Sequence, residues 1–263
     1  MTKVLPKDLT SYDLLKTLAV ILMIIDHVGV YFFPDELWWR AVGRLSAPIW
    51  LFLIGYARSR DIPPKLWGGA LVLIGTGALV SPAFFPFTIL VGMMAARRWM
   101  DKAAGFMFAS TERLIIGLGI VSVLMIPSHL FVEYGLLCLL IPLFGYLRRW
   151  NAARKILPGV HVLGFAGFTL ASYVFMNVIG FEFSDVQKYT MIAGLVCVFA
   201  LLYSFKPATH SKLSAVVPAP VAGLIKLCGR RTLEIYVLHL LLFKIGASAL
   251  GVPGFGLFEW SWY

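Results

Sequence analysis

Ionisable side chains lie inside otherwise apolar segments at both ends of the 263-residue chain. The first apolar segment contains Asp13, Lys16, Asp26 and His27. Ionisable residues are costly in a membrane helix and usually face a cavity or the bundle interior, so they are the first candidates for chemistry. At about 3.6 residues per turn, Lys16 and His27 fall on one helical face, about 16 Å apart along the axis, and Asp13 shares that face.

Two further segments add polar residues that could meet the first. Arg40 and Arg44 are one helical turn apart in the second apolar segment, and Arg44 is expected at the depth of His27. A buried arginine needs an anion, and Asp26 is the nearest candidate in the sequence. The last apolar segment contributes four more ionisable residues, Glu234, Tyr236, His239 and Lys244.

These residues favour a shared, water-accessible polar cavity inside a helical bundle. A single histidine in a membrane helix is as often a packing residue that hydrogen-bonds across helices. Two histidines on separate segments, together with an arginine and carboxylates, favour the cavity. If these side chains pointed apart into lipid or tight apolar packing, only a membrane-embedded scaffold would remain.

The composition excludes a soluble domain. Hydrophobic residues make up 60% of the chain and charged residues 14%, and the mean hydropathy is +0.85. A soluble domain keeps about 25% of its residues charged, and the apolar segments lack the alternation of barrel strands. We therefore predict an all-α, polytopic membrane helical bundle of about nine transmembrane helices, within a range of about 8–10, in a single domain, residues 1–263. The predicted spans are 12–33, 37–57, 66–80, 83–100, 113–127, 131–148, 158–177, 188–205 and 232–250.

The placement of charge predicts the orientation of the bundle and argues against nucleic-acid binding. The basic residues behind the net charge of +10 cluster in alternate loops, RSRDIPPK, RRWMDK, RRWNAARK and KPATHSK. The opposite loops are FPDEL, SPAFFP, PSHLFVE and GFEFSD. The positive-inside rule then makes the N-terminus cytoplasmic and the C-terminus external, where FEWSWY fits an aromatic belt. Because the apolar run Leu14–Phe33 is longer than a signal-peptide core, we expect a retained first span.

Two features fall outside this pattern of spans. Cys138, Cys197 and Cys228 lack metal-ligand spacing and are predicted to be small core residues, with neither a disulfide nor a metal site. The stretch SAVVPAPVAGLIKLC, residues 214–228, is broken by prolines, so we expect an interfacial or re-entrant helix there. Neither feature adds a candidate site.

Two segments resemble the TraX family. The stretch SYDLLKTLAVILMIIDHVGVYFFPDELWWRAVGRLSAPIWLFLIGYARSR, residues 11–60, is similar to its N-terminal region, and GRRTLEIYVLHLLLFK, residues 229–244, to its C-terminal signature. IDHVG and LEIYVLH are the specific pieces. TraX proteins are associated with N-acetylation of conjugative pilin subunits, and they are related to the type 3 acyltransferases and lysosomal heparan N-acetyltransferase.

The resemblance implies a bacterial inner-membrane acetyltransferase with acetyl-CoA as a cytoplasmic co-substrate and no metal. Type 3 acyltransferases commonly carry an arginine and a histidine separated by ten residues on the first span, and this chain keeps that spacing with Lys16 in place of the arginine before His27. Lysine lacks the bidentate fork of arginine, while the basic loops would attract polyanionic CoA. An acyl-pantetheine arm would run along the Val20–Met23 stripe toward His27.

In that mechanism His27 is the general base on an amine or hydroxyl acceptor, because an imidazole with its near-neutral ordinary pKa suits proton transfer. Asp26 or Arg44 is expected to help orient the site, and His239 to be a second base, a transient acyl carrier or a structural hydrogen-bond partner. Direct transfer and a covalent acyl-histidine route both remain open. The predicted binding residues are Lys16, Arg44, Asp13, Glu234 and Tyr236.

Three other functions fit the same residues. The first is O-acetylation of a cell-surface glycan, which keeps the donor and the histidine but changes the acceptor. The second is a proton-coupled transporter, since intramembrane ionisable residues also mark proton pathways; the absence of repeat symmetry argues against it. The third is a non-catalytic membrane assembly subunit, for example one that docks pilins.

Overall fold

A computed structural model of the chain describes residues 6–80 and 87–257. The described residues form twelve α-helices and no strand longer than an isolated bridge. The long helices are apolar over most of their length, as expected for elements that meet lipid or one another. The helices are α1 Ser11–Phe32, α2 Trp38–Gly43, α3 Ser46–Tyr56, α4 Pro64–Val80, α5 Ile89–Met107, α6 Thr111–His129, α7 Leu137–Arg154, α8 Gly159–Gly180, α9 Asp185–Ser204, α10 Ser211–Val216, α11 Ala219–Arg230 and α12 Thr232–Ala249.

The helices define a multi-pass membrane protein. Within the described ranges, α1, α6, α8, α9 and α12 are long and apolar enough to cross a bilayer, and α4 is a shorter apolar helix. Large apolar side chains on the outside of these helices, such as Val123, Leu163 and Ile245, are well exposed and indicate a lipid surface. The all-helical membrane class is therefore confirmed, whereas nine spans and the positions of the termini stay predictions.

The connections between helices gather at two ends of the bundle. At the end where α1 begins, the Ser11 amide donates to the Ala208 carbonyl over 2.9 Å, and Arg60 pairs with Asp101 over 3.1 Å. This end carries the predicted basic loops and is called the basic end. At the opposite end, Phe87 forms a bridge with Val132 in the segment that joins α6 to α7.

A break between α2 and α3 shapes the centre of the bundle. Pro48 has no N–H, so it cannot donate to the Arg44 carbonyl four residues earlier, as a continuous helix requires. The Tyr173 hydroxyl of α8 donates to that carbonyl instead, over 2.7 Å. The Ser46 hydroxyl just past the break donates to the Ala19 carbonyl of α1 over 2.9 Å. The two hydrogen bonds thus link α8 and α1 to the break between α2 and α3 at one depth in the bundle.

The structure corrects one sequence expectation and leaves others untested. Cys138 is buried as predicted, but Cys197 is exposed on the surface of α9, so the prediction of a core position was wrong there. The proline-broken stretch 214–228 falls in α10 and α11, and Gly229 at the end of α11 packs against the Asp13 backbone. The SPAFFP segment at 81–86 and the FEWSWY tail at 258–263 lie outside the described residues.

Candidate functional site

A cavity of about 1920 Å³ runs through the bundle between its two ends. Pro6, Arg58 and Arg230 line it at the basic end, and Glu133 and Phe255 line it at the opposite end. Most of the sequence-predicted polar residues lie between these limits. The shared polar cavity inferred from the sequence is therefore present in the structure.

One face of α1 forms a wall of this cavity. Lys16, Met23, His27 and Val30 all line it, and their spacing of three, four and seven residues is that of a single helical stripe. Val20, expected on the same stripe, is 2% exposed and packs in the core. The stripe leads from the basic end of the bundle to His27.

His27 and His239 form a hydrogen-bonded pair inside the bundle. His27 Nδ1 lies 2.8 Å from His239 Nε2, and His239 Nδ1 lies 2.8 Å from the Ile235 carbonyl oxygen. That carbonyl can only accept, so His239 Nδ1 carries the proton and its Nε2 accepts from His27 Nδ1–H when both rings are neutral. This chain of bonds leaves the lone pair of the neutral His27 ring on Nε2.

The pair has one buried member and one that faces the cavity. His239 is 8% exposed and is held by the turn of α12 before it. His27 lines the cavity, with the Tyr31 and Tyr236 rings centred 6.4 and 6.2 Å from its own. No described residue makes a hydrogen bond to His27 Nε2. His27 can therefore exchange a proton with a bound molecule, while His239 positions it.

Asp26, the neighbour of His27 on α1, is the centre of an ion cluster. Its carboxylate accepts from Arg44 Nε over 3.1 Å and from Arg40 Nη1 over 2.7 Å, and it also forms an ion pair with Arg44 Nη2. Both guanidinium groups lie over the Phe181 ring, at 5.1 and 5.2 Å from its centroid. The ion pair expected between Arg44 and Asp26 is present, and Arg40 shares the same carboxylate.

Glycine allows this cluster to form. A Cβ placed on Gly43 of α2 would collide with the Cα and Cβ of Asp26, and one on Gly29 of α1 would come within 2.5 Å of the Trp39 Cβ. The two helix backbones therefore approach closely at this depth, as small residues permit in membrane bundles. Close approach brings both arginines within reach of one carboxylate.

The remaining predicted site residues divide between the cavity and the surface. Asp13 lines the cavity, but its oxygens accept from Thr10, which caps α1, and from Arg230 Nε over 3.2 Å. Glu234 lies apart from the cavity, where it pairs with Lys65 over 3.3 Å and with Arg231 over 3.6 Å. The structure thus separates Glu234 from the other candidates and gives Asp13 a capping partner.

Several cavity residues were not recognised from the sequence. In the sequence Glu133 and Arg230 look like ordinary loop charges, and Arg40 and Lys244 lie in apolar segments without an assigned role. Arg40 had a usable signal, since it lies one helical turn before Arg44 on the same face. Glu133 had none, because its position depends on how the segment between α6 and α7 folds back toward α5.

The basic end of the cavity suits a polyanionic molecule. Lys16, Arg58, Arg97, Arg149 and Arg230 line it, against the single carboxylate of Asp13. Arg97 Nη1 donates to the Ser59 and Asp61 carbonyls over 3.3 and 3.1 Å, whereas its buried Nε has no hydrogen-bond partner. A buried donor without a partner is costly, so this group is available to a bound anion. By contrast, no cluster of three His, Cys, Asp or Glu residues in 6–80 and 87–257 could hold a metal ion.

These features define a multi-pass helical membrane protein with an internal polar cavity and a buried histidine pair. The family model described as TraX protein matches residues 11–245. The chain therefore belongs to the TraX family, which confirms the resemblance seen in its two terminal segments.

Other comparisons add little about function. An uncharacterized protein of Rickettsia prowazekii (strain Madrid E) is 27% identical over 148 residues. The match covers 55% of this chain and 58% of that protein, so the chain spans little more than half the length of this curated relative. No solved structure matches the chain.

Proposed function

We propose that the protein is a membrane-embedded acetyltransferase that moves an acetyl group from cytoplasmic acetyl-CoA to an amine or hydroxyl acceptor. The observation that carries this proposal is the histidine pair, in which His27 keeps one free nitrogen inside a cavity that reaches the basic end. A neutral imidazole with a fixed tautomer and an open lone pair is suited to general-base catalysis.

The donor is proposed to enter from the basic end. We propose that this end faces the cytoplasm of a bacterial inner membrane, as the positive-inside rule predicts, in a bundle of about nine crossings. The excess of arginine and lysine around Arg97 would hold the phosphates of CoA, since guanidinium groups pair well with phosphate. The stripe from Lys16 to His27 covers about 16 Å, which gives an acyl-pantetheine arm a path to the histidine.

His27 is proposed to remove a proton from the acceptor. As the acceptor nitrogen or oxygen bonds to the acetyl carbon and the thioester C–S bond breaks, that proton moves to His27 Nε2. The proton then passes to the thiolate sulfur, so the products are the acetylated acceptor and CoA. While His27 is charged, its bond to His239 becomes charge-assisted and stronger. The same open nitrogen could instead carry the acetyl group in a covalent acyl-histidine route. The experiment below distinguishes that route from direct transfer.

A pilin N-terminus is the acceptor that family membership suggests, and a cell-surface glycan is the alternative. The cavity reaches the end of the bundle away from the donor, so an acceptor from outside could approach His27 without crossing the membrane. Separate entrances would keep the donor and the acceptor from competing for a single opening of the cavity.

The proposal is tested by incubating purified protein with labelled acetyl-CoA and a membrane extract, then finding the labelled product by mass spectrometry. Loss of His27 in His27→Ala is expected to lower transfer by about 10²–10⁴-fold, the usual contribution of a general base. Glu234→Gln, which changes a residue outside the cavity, is the matched control and should keep wild-type transfer. Label on a peptide N-terminus indicates pilin-type chemistry, and label on a glycan indicates O-acetylation of a cell-surface glycan. Label trapped on the wild-type protein but not on His27→Ala indicates the covalent acyl-histidine route.

A proton-coupled transporter is the second candidate, and the cavity that reaches both ends of the bundle favours it. Its intramembrane histidines would then relay protons rather than act on an acetyl group. Substrate flux into proteoliposomes without CoA, together with no acetyl transfer in the assay above, would support transport and overturn the acetyltransferase.

A further inference from the structure

Lys244 is a buried cation on α12 that the mechanism above does not use. It is 9% exposed and lines the cavity. It lies twelve positions after Thr232, where α12 starts at the basic end, and five positions before Ala249, where the helix ends. Lys244 therefore lies in the half of the cavity near the opposite end. A lysine inside a membrane bundle is costly and marks a functional position by default.

The hydrogen bonds of Lys244 leave part of its ammonium group available. Nζ donates to the Leu73 carbonyl over 3.3 Å and to the Thr76 hydroxyl over 3.4 Å, both on α4. An ammonium has three donors, and the described residues supply acceptors for two of them. Neither acceptor is an anion, so both hydrogen bonds of the ammonium are to neutral groups.

The charges around Lys244 do not balance within this half of the cavity. Its wall carries three cations, Arg40, Arg44 and Lys244, against two carboxylates, Asp26 and Glu133. Asp26 is held by both arginines. Glu133 is near enough to interact electrostatically with Lys244, but its Oε2 accepts from the Ile89 amide over 2.8 Å and it forms no ion pair with the lysine. Among the described residues of this half, one positive charge lacks an anion.

There is also room for a ligand beside the ammonium. Gly77 of α4 lines the cavity next to Lys244, and a Cβ built on it would meet only Lys244 Nζ, at 3.4 Å. Tyr31 lines the same half and stacks near Phe255, with ring centroids 4.8 Å apart. An anionic group could reach the lysine in this space without displacing atoms of the described residues.

We propose that Lys244 forms an anion-binding site in the half of the cavity near the opposite end, and that this site takes the carboxylate or phosphate group of a ligand. Such a ligand would supply the negative charge that the protein itself does not. Identifying the ligand as the acceptor rests on the proposed acetyltransferase, whereas the anion site does not. The acceptor would then be an anionic molecule rather than a neutral sugar.

The site is tested by charge-selective labelling of a thiol beside the lysine. Gly77→Cys puts a thiol next to Nζ, and purified protein is treated with an anionic sulfonatoethyl or a cationic trimethylammonioethyl methanethiosulfonate. The ratio of the anionic to the cationic labelling rate is expected to fall about tenfold or more when Lys244→Met removes the charge, because unit charges a few ångströms apart interact strongly in this environment. Lys244→Arg should keep the high ratio, and Lys65→Met, at the surface, should leave it unchanged.

Competition identifies the chemistry of the ligand. Glycerol 3-phosphate and N-acetylglycine, a phosphate ester and a carboxylate, are each added during labelling of Gly77→Cys. We expect one of them to slow the labelling, and we expect this protection to be lost in the Lys244→Met protein. The compound that protects shows which anion the site prefers. Protein that retains Gly77 measures background reaction at the native cysteines, and the elution volume on size exclusion confirms folding of each variant.

An unchanged rate ratio in the Lys244→Met protein, or no protection by either anion, would overturn the anion site. None of these measurements uses acetyl-CoA. Failure of the anion site therefore leaves the acetyltransferase standing, and failure of acetyl transfer leaves the anion site standing.

Discussion

Asp26 and His27 are neighbours on α1, yet their surroundings are opposite in kind. About 100° of helical rotation separates them, which turns Asp26 toward α2 and His27 toward α12 and the cavity. The carboxylate of Asp26 is saturated by three hydrogen bonds from two arginines. The imidazole of His27 has one hydrogen bond, to another imidazole, and one nitrogen without a partner among the described residues.

This difference separates a group that fixes geometry from one that can react. Desolvated charges persist in a membrane bundle only when partners compensate them, and the Asp26 carboxylate is held by two arginines on one side of α1. His27 is held at one nitrogen and open at the other, so it is positioned but unsaturated. The cluster therefore fixes the depth and rotation of α1, and these place the His27 side chain in the cavity.

The largest effect on stability is expected from disrupting the ion cluster around Asp26. Asp26→Asn keeps the shape but removes the charge, which leaves Arg40 and Arg44 buried without an anion. Removing one partner of a buried ion pair costs about 3–5 kcal/mol. We expect a marked fall in the thermal unfolding temperature in detergent, followed by intrinsic tryptophan fluorescence, and a loss of acetyl transfer as a consequence.

The matched control for Asp26→Asn is Asp185→Asn. Asp185 pairs with Lys188 over 3.4 Å, but its side chain is 82% exposed. Exposed pairs contribute little to stability, so this variant should unfold like the wild type. If Asp26→Asn also unfolded like the wild type, the cluster would not be what holds α1 against α2.

The second effect tests whether His239 acts through His27. His239→Ala removes the acceptor for His27 Nδ1–H and frees the His27 tautomer. By analogy with groups that orient metal-binding histidines, acetyl transfer should fall about 10–100-fold, less than in His27→Ala. The KM for acetyl-CoA should change little, because His239 lies away from the basic end.

The conservative variant His239→Gln separates positioning from packing. A glutamine amide oxygen can accept the His27 Nδ1–H bond, so transfer should recover part of the loss seen with alanine. Equal activity of the alanine and glutamine variants would mean that His239 contributes packing volume and not the tautomer of His27.

The sequence predicts this site where the evidence is local to one helix. The stripe with Lys16 and His27 follows from helical periodicity, and the link from Arg44 to Asp26 follows from depth along a hairpin. The class of fold follows from composition, because a chain with so few charged residues cannot cover a water-facing surface. These inferences need no knowledge of how distant segments meet.

Predictions that depended on tertiary packing were less complete. Glu234 shares α12 with His239, but the rotation of α12 turns it toward Lys65 at the surface, which periodicity alone does not reveal. Glu133 enters the cavity because its segment packs beside Ile89 of α5. The binding partner of Asp13 is Arg230, 217 residues away in the chain. Such contacts are set by the whole bundle.

The smallest effect is expected from the hydrogen bond that supports the helix break next to the cluster. Tyr173→Phe removes the hydroxyl that donates to the Arg44 carbonyl and leaves a buried acceptor unsatisfied. The expected loss is about 1–3 kcal/mol in the free energy of unfolding. Tyr203→Phe is the control, because among the described residues its hydroxyl makes no hydrogen bond, and it should have almost no effect.

Pro48→Ala tests whether the proline is the reason for this bond. Alanine restores the N–H that a continuous helix would offer to the Arg44 carbonyl, so the carbonyl no longer depends on Tyr173. In a double-mutant cycle, Tyr173→Phe should therefore cost less in the Pro48→Ala background than in the wild type. Equal costs in both backgrounds would show that Tyr173 stabilises this depth of the bundle by packing, and that the break between α2 and α3 has another cause.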